Sequence, residues 1–140
     1  MMVPEVFVDS GAWIALSIDH DAHHGAAISE YHRLVDHPVL LVTTNLVIGE
    51  SYALIHRFGG HQRAVRFLAI VRRSPSLNKV YSDAALEDEA EALLVKYADQ
   101  DFSFVDAVSF VVMHSRGIAE AFAFDHHFQT AGYTLVPNLR

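Results

Sequence analysis

Short apolar runs alternate along this chain with longer stretches of helical period. Val6–Phe7–Val8 has the pattern of a buried strand and stops at Asp9. Helical spacing follows over Ser10–Ile18 and about His23–Val35, and Val39–Val42 is a second buried strand. Thr43 and Thr44 are candidate N-caps for a helix running to about Phe58, which Gly59–Gly60 breaks. A helix over about Gln62–Arg73 leads to an extended segment, Leu77–Tyr81, and then to an acidic helix, about Ala84–Tyr97. Ser103–His114 is a strongly apolar helix closed by Gly117. Ala119–Phe124 predicts a strand ending at Asp125, and Tyr133–Val136 a last one.

Strands of this kind separated by helices imply βαβ units and a parallel sheet covered on both faces. No repeat, low-complexity tract or long linker divides the chain, so residues 1–140 are expected to form one α/β domain.

Composition narrows the chemistry. With no cysteine, disulfides and thiolate metal sites are excluded, and any metal must be held by oxygen or imidazole. No apolar run approaches a membrane span, and the N-terminal residues lack the pattern of a signal peptide. The cytoplasm is therefore the expected location. A net charge of −7 argues against a nucleic-acid partner, but its distribution does not. Six of the ten Lys and Arg fall between Ser51 and Ser82, where there is no Asp or Glu. On a helix over Gln62–Arg73, residues Arg63, Arg66 and Arg73 share one flank. That strip could hold RNA phosphates, face solvent, or dock an acidic segment of a protein partner.

Four acids stand out. Asp9 and Asp125 each end a predicted strand, where open α/β sheets place their ligand chemistry, although an Asp there is also a common helix cap. Glu50 has Leu46, Val47, Ala53 and Leu54 as helical neighbours, an expensive setting for a charge unless it lies at the edge of that face. Asp106 is the one acid among Phe104, Val105, Val108 and Phe110, and Ser103-Phe104-Val105-Asp106 has the form of a capping box. Gathered in one cleft, four carboxylates would repel one another without a cation. Mg²⁺ prefers such hard oxygens, and a carboxylate cluster suits phosphodiester hydrolysis.

At these residues the chain resembles a PIN domain, and more narrowly the VapC toxins of bacterial toxin–antitoxin pairs. The matching segments are Phe7–Ser10, Thr43–Asn45 through Gly49–Glu50, Ser103–Ala107 and Phe124–Phe128, in order along essentially the whole chain. The resemblance implies Asp9 and Asp106 as principal ligands of Mg²⁺ or Mn²⁺. Glu50 and Asp125 would complete the acidic pocket, with Ser10 or Thr44 as polar support. It implies an endoribonuclease acting on transfer RNA or a ribosomal RNA hairpin loop, often dimeric and restrained by an antitoxin. A catalytically silent PIN-like module binding RNA or protein is the alternative. A haloacid-dehalogenase-like phosphatase would need Asp-x-Asp, whereas Asp9 is followed by Ser10 and Gly11.

Other features carry less. Asp101 reads as a solvated loop acid, and Trp13 as core or interface. Asp19–His24 could suggest a transition-metal site, but a connector before a helix explains it as well. His126 or His127 is close enough to Asp125 in sequence for one ring to reach a phosphate.

Overall fold

Val6, Phe7 and Val8 are all buried, because β1 (Glu5–Val8) occupies the middle of the sheet. The computed structural model describes residues 3–139. Its strands are all parallel, in the order β3-β2-β1-β4-β5. β1 lies between β2 (Leu40–Thr44) and β4 (Glu120–Phe122), with Phe7 opposite both Val42 and Ala121. β3 (Leu77–Val80) and β5 (Thr134–Val136) form the edges. The expected parallel α/β sheet is therefore the one observed.

The helices form two packed groups. α1 (Ser10–Ser17) packs with α2 (His24–Val35), α3 (Asn45–Gly59) and α4 (His61–Arg73). α5 (Ala84–Lys96) packs on α6 (Phe104–Arg116), burying Ala90 against Ala107, Val108 and Val111. Such crossovers bring each strand back parallel to the last, and they cover a sheet that has little polar surface of its own. Trp13 is a core residue, with its ring 5.6 Å from that of Phe67. No helix among the described residues is long and apolar enough to cross a membrane.

Three details depart from the sequence expectation. Thr43 and Thr44 belong to β2, and only Thr44 caps α3, accepting from the Val47 N–H at 3.1 Å. Thr43 instead donates its hydroxyl to the Val8 carbonyl, tying β2 to β1 beside the site. β4 ends at Phe122, so Ala123, Phe124 and Asp125 form a loop rather than the end of a strand. That loop enters α7 (His127–Thr130), a four-residue helix too short for hydrophobic periodicity to reveal.

Phe128 is the buried residue of α7, 6.0 Å from the ring of Phe7 and 5.0 Å from that of Phe110. It thereby pins the turn after Asp125 to the sheet and to α6. Phe128→Ala should lower unfolding stability by roughly 3–5 kcal/mol, the usual range for a buried aromatic. Urea unfolding measures it, and a loss below about 1 kcal/mol would show that α7 is not anchored this way.

Candidate metal centre

The four proposed acids come from four different segments: the end of β1, α3, the start of α6 and the turn after β4. Asp9 follows β1 directly, and its N–H extends the ladder to the Phe122 carbonyl at 3.0 Å. It occupies the N-cap position of α1, yet its side chain makes no capping hydrogen bond and is 4% exposed. The reading of Asp9 as a mere cap fails on that geometry.

Asp106 does cap. Its N–H donates to Ser103 Oγ and its Oδ2 accepts from the Ser103 N–H, both at 3.0 Å, completing the capping box. This fixes a buried carboxyl at the start of α6. Asp125 is held locally as well, with Oδ1 accepting from the His127 N–H at 2.9 Å. Glu50 lies on the second turn of α3 and is half-buried. The apolar face expected around it is narrower than the spacing suggested: Val47, Ile48, Ser51 and Ile55 are buried, while Ala53 is exposed. Glu50 sits at the edge of that face.

The electrostatics bring these positions together. The Asp9 carboxyl is raised from 3.8 to about 7. Burial is the largest cause, with the Ser10 backbone N–H pulling partly back and Asp106, Glu50 and Asp125 each pushing further upward. Repulsion among the acids is therefore real, but desolvation outweighs it. A buried carboxyl that resists ionisation, within electrostatic reach of three more, supplies the hard oxygen donors that a divalent cation prefers. Ser10, next to Asp9, and Thr44, at the start of α3, are both buried.

His127 is the residue that sequence reasoning underweighted. Its Nδ1 lies 3.2 Å from Asp106 Oδ2 and 3.2 Å from Asp125 Oδ2, off the hydrogen-bonding line to both. The ring thus links the acid of α6 to the acid after β4. His126 points outward, its side chain 79% exposed. Asp125, His126 and His127 can bring one donor atom each within 4.8 Å of one another, the one such His/Asp/Glu group among the described residues. The Asp19–His24 stretch makes none: His24 Nδ1 is 2.7 Å from the Ala15 carbonyl oxygen, and Asp21 accepts from the His23 N–H. Asp101 is exposed in its loop.

The basic strip is smaller than expected. Arg63 is paired with Asp19 at 2.9 Å and donates to the Gly59 carbonyl at 3.0 Å. Asp19 lies beyond the C-terminal end of α1, and Gly59 is the last residue of α3. Arg66 and Arg73 remain exposed.

The fold is a five-stranded parallel sheet with a buried acid following its central strand, and acids from α3, α6 and the turn after β4 act on that acid electrostatically. The family profile of the PIN domain matches residues 6–132, and the chain belongs to that family. The 23S rRNA-specific endonuclease VapC20 of Mycobacterium tuberculosis, from strains CDC 1551 / Oshkosh and ATCC 25618 / H37Rv, is 41% identical over 132 residues, 94% of this chain and 97% of the relative. The crystal structure of Mycobacterium tuberculosis VapC20, described as a Sarcin-Ricin loop cleaving toxin, superposes with a TM-score of 0.84 at 38% identity. That match covers 92% of this chain and 96% of the other. VapBC2 from Rickettsia felis, bound to a DNA fragment from its promoter, shares the fold at a TM-score of 0.68 and 10% identity. It covers 94% of this chain and 96% of that one.

The raised Asp9 carboxyl has a direct consequence for the metal-free protein. A folded-state pKa of about 7 against 3.8 means the native state holds this proton more tightly than the unfolded chain does. The associated stability is complete below about 3.8 and is lost as pH rises through about 7. The full loss is on the order of 4 kcal/mol. Asp9→Asn has no proton to lose there, so in EDTA it should gain stability over the natural protein between pH 4 and pH 8 as measured by urea unfolding. An unchanged difference across that range would show that Asp9 ionises like an ordinary carboxyl.

Proposed function

We propose that this chain is a divalent-metal-dependent endoribonuclease of the VapC kind, acting on a loop of large-subunit ribosomal RNA and restrained by an antitoxin. The observation that carries this reading is the buried Asp9 carboxyl held near neutrality beside Asp106, Glu50 and Asp125. A catalytically silent module has no use for so costly a group, which counts against that alternative. The ribosomal target is favoured over transfer RNA by the 23S rRNA-specific relative at 41% identity.

In this reading Asp9 and Asp106 hold Mg²⁺ or Mn²⁺, and Glu50 and Asp125 complete its pocket. A cation bound there supplies Lewis-acid polarisation of the scissile phosphate and activates water for in-line attack. The chain supplies position. The capping box fixes Asp106, His127 keeps Asp106 and Asp125 in fixed relation, and the Thr44 cap sets the direction from which Glu50 approaches.

The antitoxin reading has a structural support of its own. A cavity of about 250 Å³ between α1, α2 and α4 is lined by Trp13, Leu16, Tyr31, Arg66 and Phe67 among others. The Trp13 Nε1–H is buried there without a hydrogen-bond acceptor. A partner segment offering an apolar anchor and a carboxylate would satisfy both Trp13 and Arg66. Homodimerisation and a cytoplasmic location follow from the family reading, and sedimentation measures the first.

Mg²⁺ or Mn²⁺ should support cleavage of ribosomal RNA and raise the melting temperature, and a chelator should abolish both. Asp9→Asn and Asp106→Asn should each lose at least about a hundredfold in rate, roughly 3 kcal/mol of transition-state stabilisation. Products should carry 5′-phosphate and 3′-hydroxyl ends, since a positioned water is the nucleophile. Cyclic 2′,3′-phosphate ends, or full activity in EDTA, would sink the metal mechanism.

The basic strip divides differently. Because Arg63 is engaged by Asp19, changing Arg66 and Arg73 to Glu should reproduce the effect of changing all three. On the RNA hypothesis the double variant binds RNA more weakly, with a flatter salt dependence. Unchanged RNA affinity together with loss of antitoxin binding would assign the strip to the partner interface.

A further inference from the structure

The turn that carries Asp125 also carries an unusual pair of rings. Phe124, half-buried, lies face to face with the exposed imidazole of His23, with ring centroids 4.3 Å apart and planes 7° from parallel. Behind them the buried Phe122 meets Phe124 edge-on at 6.3 Å. The series of rings therefore runs from the core outward and ends on His23, at the N-terminus of α2. The pair adjoins the segments that carry Asp9 and Asp125. Phe124 precedes Asp125 directly, and a Cβ built on Gly11, two residues after Asp9, would lie 3.8 Å from the Phe124 backbone nitrogen.

The surface leading away from this pair carries neither acidic nor basic side chains among the described residues. A trough of about 570 Å³ runs from His23 and Phe124 past Gln129 and Thr134 to Asn138, along the β5 edge. No Asp or Glu lines it, in a chain that has 17 of them. Its polar groups are amides and hydroxyls, which can hydrogen-bond bases, riboses or phosphates without a charge penalty. Unpaired RNA bases are commonly held by stacking on aromatic or imidazole rings, with neutral polar groups along the backbone.

We propose that the His23–Phe124 stack is a platform for an unpaired base next to the scissile phosphate, and that the trough along β5 carries the adjoining single strand. The proposal rests on the nuclease reading and adds to it the element that holds the substrate. It requires the target to be unpaired at that nucleotide, because a base inside a duplex cannot reach the ring. His23 is a positioning residue that never touches the cation.

The test uses the full chain carrying Asp9→Asn, so that RNA stays intact, with single-stranded octa-adenylate and octa-uridylate as probes. His23→Ala should weaken binding of both roughly tenfold, as loss of one stacked base does. His23→Tyr, which keeps a flat ring, should restore it, whereas His23→Leu, apolar but not planar, should not. In the otherwise natural protein His23→Ala should raise KM for ribosomal RNA much more than it lowers kcat, and should leave the Mn²⁺-induced shift in melting temperature unchanged. Equal affinity of the His23 and His23→Ala proteins, or no binding by either, overturns the platform. So does rescue by Leu equal to rescue by Tyr, and a fall in melting temperature with affinity intact would make the pair a loop clamp only. Binding that follows this pattern in a protein that cuts no RNA would leave the platform standing and remove the nuclease reading instead.

Discussion

Asp9 terminates the central strand of the sheet with a carboxyl that is 4% exposed and uses none of the capping bonds its position offers. Burying such a group with only the Ser10 backbone N–H to offset the loss of water is costly. The rest of the site can be understood as what makes that burial tolerable. The proton is retained to near neutrality, and a cation drawn in by Asp106, Glu50 and Asp125 would replace it. Stability and chemistry are thus set against each other at one residue, a compromise expected where function rather than packing chose the side chain.

The topology explains why the compromise is made here. β1 connects through α1 and α2 to β2 on one side, while the other side of β1 is covered by β4, reached only after β3, α5 and α6. Strand order reverses between β1 and β4, the kind of position at which open α/β sheets place their ligand sites. Asp9 and Asp125 stand on either side of it. Asp106 reaches it because α6 must begin on the same edge before descending to β4.

How much of this the chain discloses on inspection depends on whether an interaction is local. β1, the capping box at Ser103–Asp106 and the cap at Thr44 each lie within four or five consecutive residues and were legible. So was the parallel sheet, since buried strands have no polar alternation. Asp125 falls on the expected edge of the sheet, but β4 stops at Phe122, three residues before it. α7 escaped because four residues give no periodicity, and with it went the inward turn of His127. Glu50 fell at the border of its face because the width of the face is set by what packs on α3, not by α3 itself. The pairing of Arg63 with Asp19 spans 44 residues, and nothing near either residue announces it.

The separation of the four acids along the chain has a bearing on biosynthesis. Residues 9, 50, 106 and 125 lie on segments far apart in sequence, and the central strand gains its second neighbour only when Glu120–Phe122 joins it. Long-range parallel pairing of this sort forms late and slowly. A growing chain of a hundred residues already contains Asp9 and Glu50 but neither Asp106 nor β4. The four acids proposed to hold the cation are therefore available together only after Asp125 has been made, late in the synthesis of this sequence.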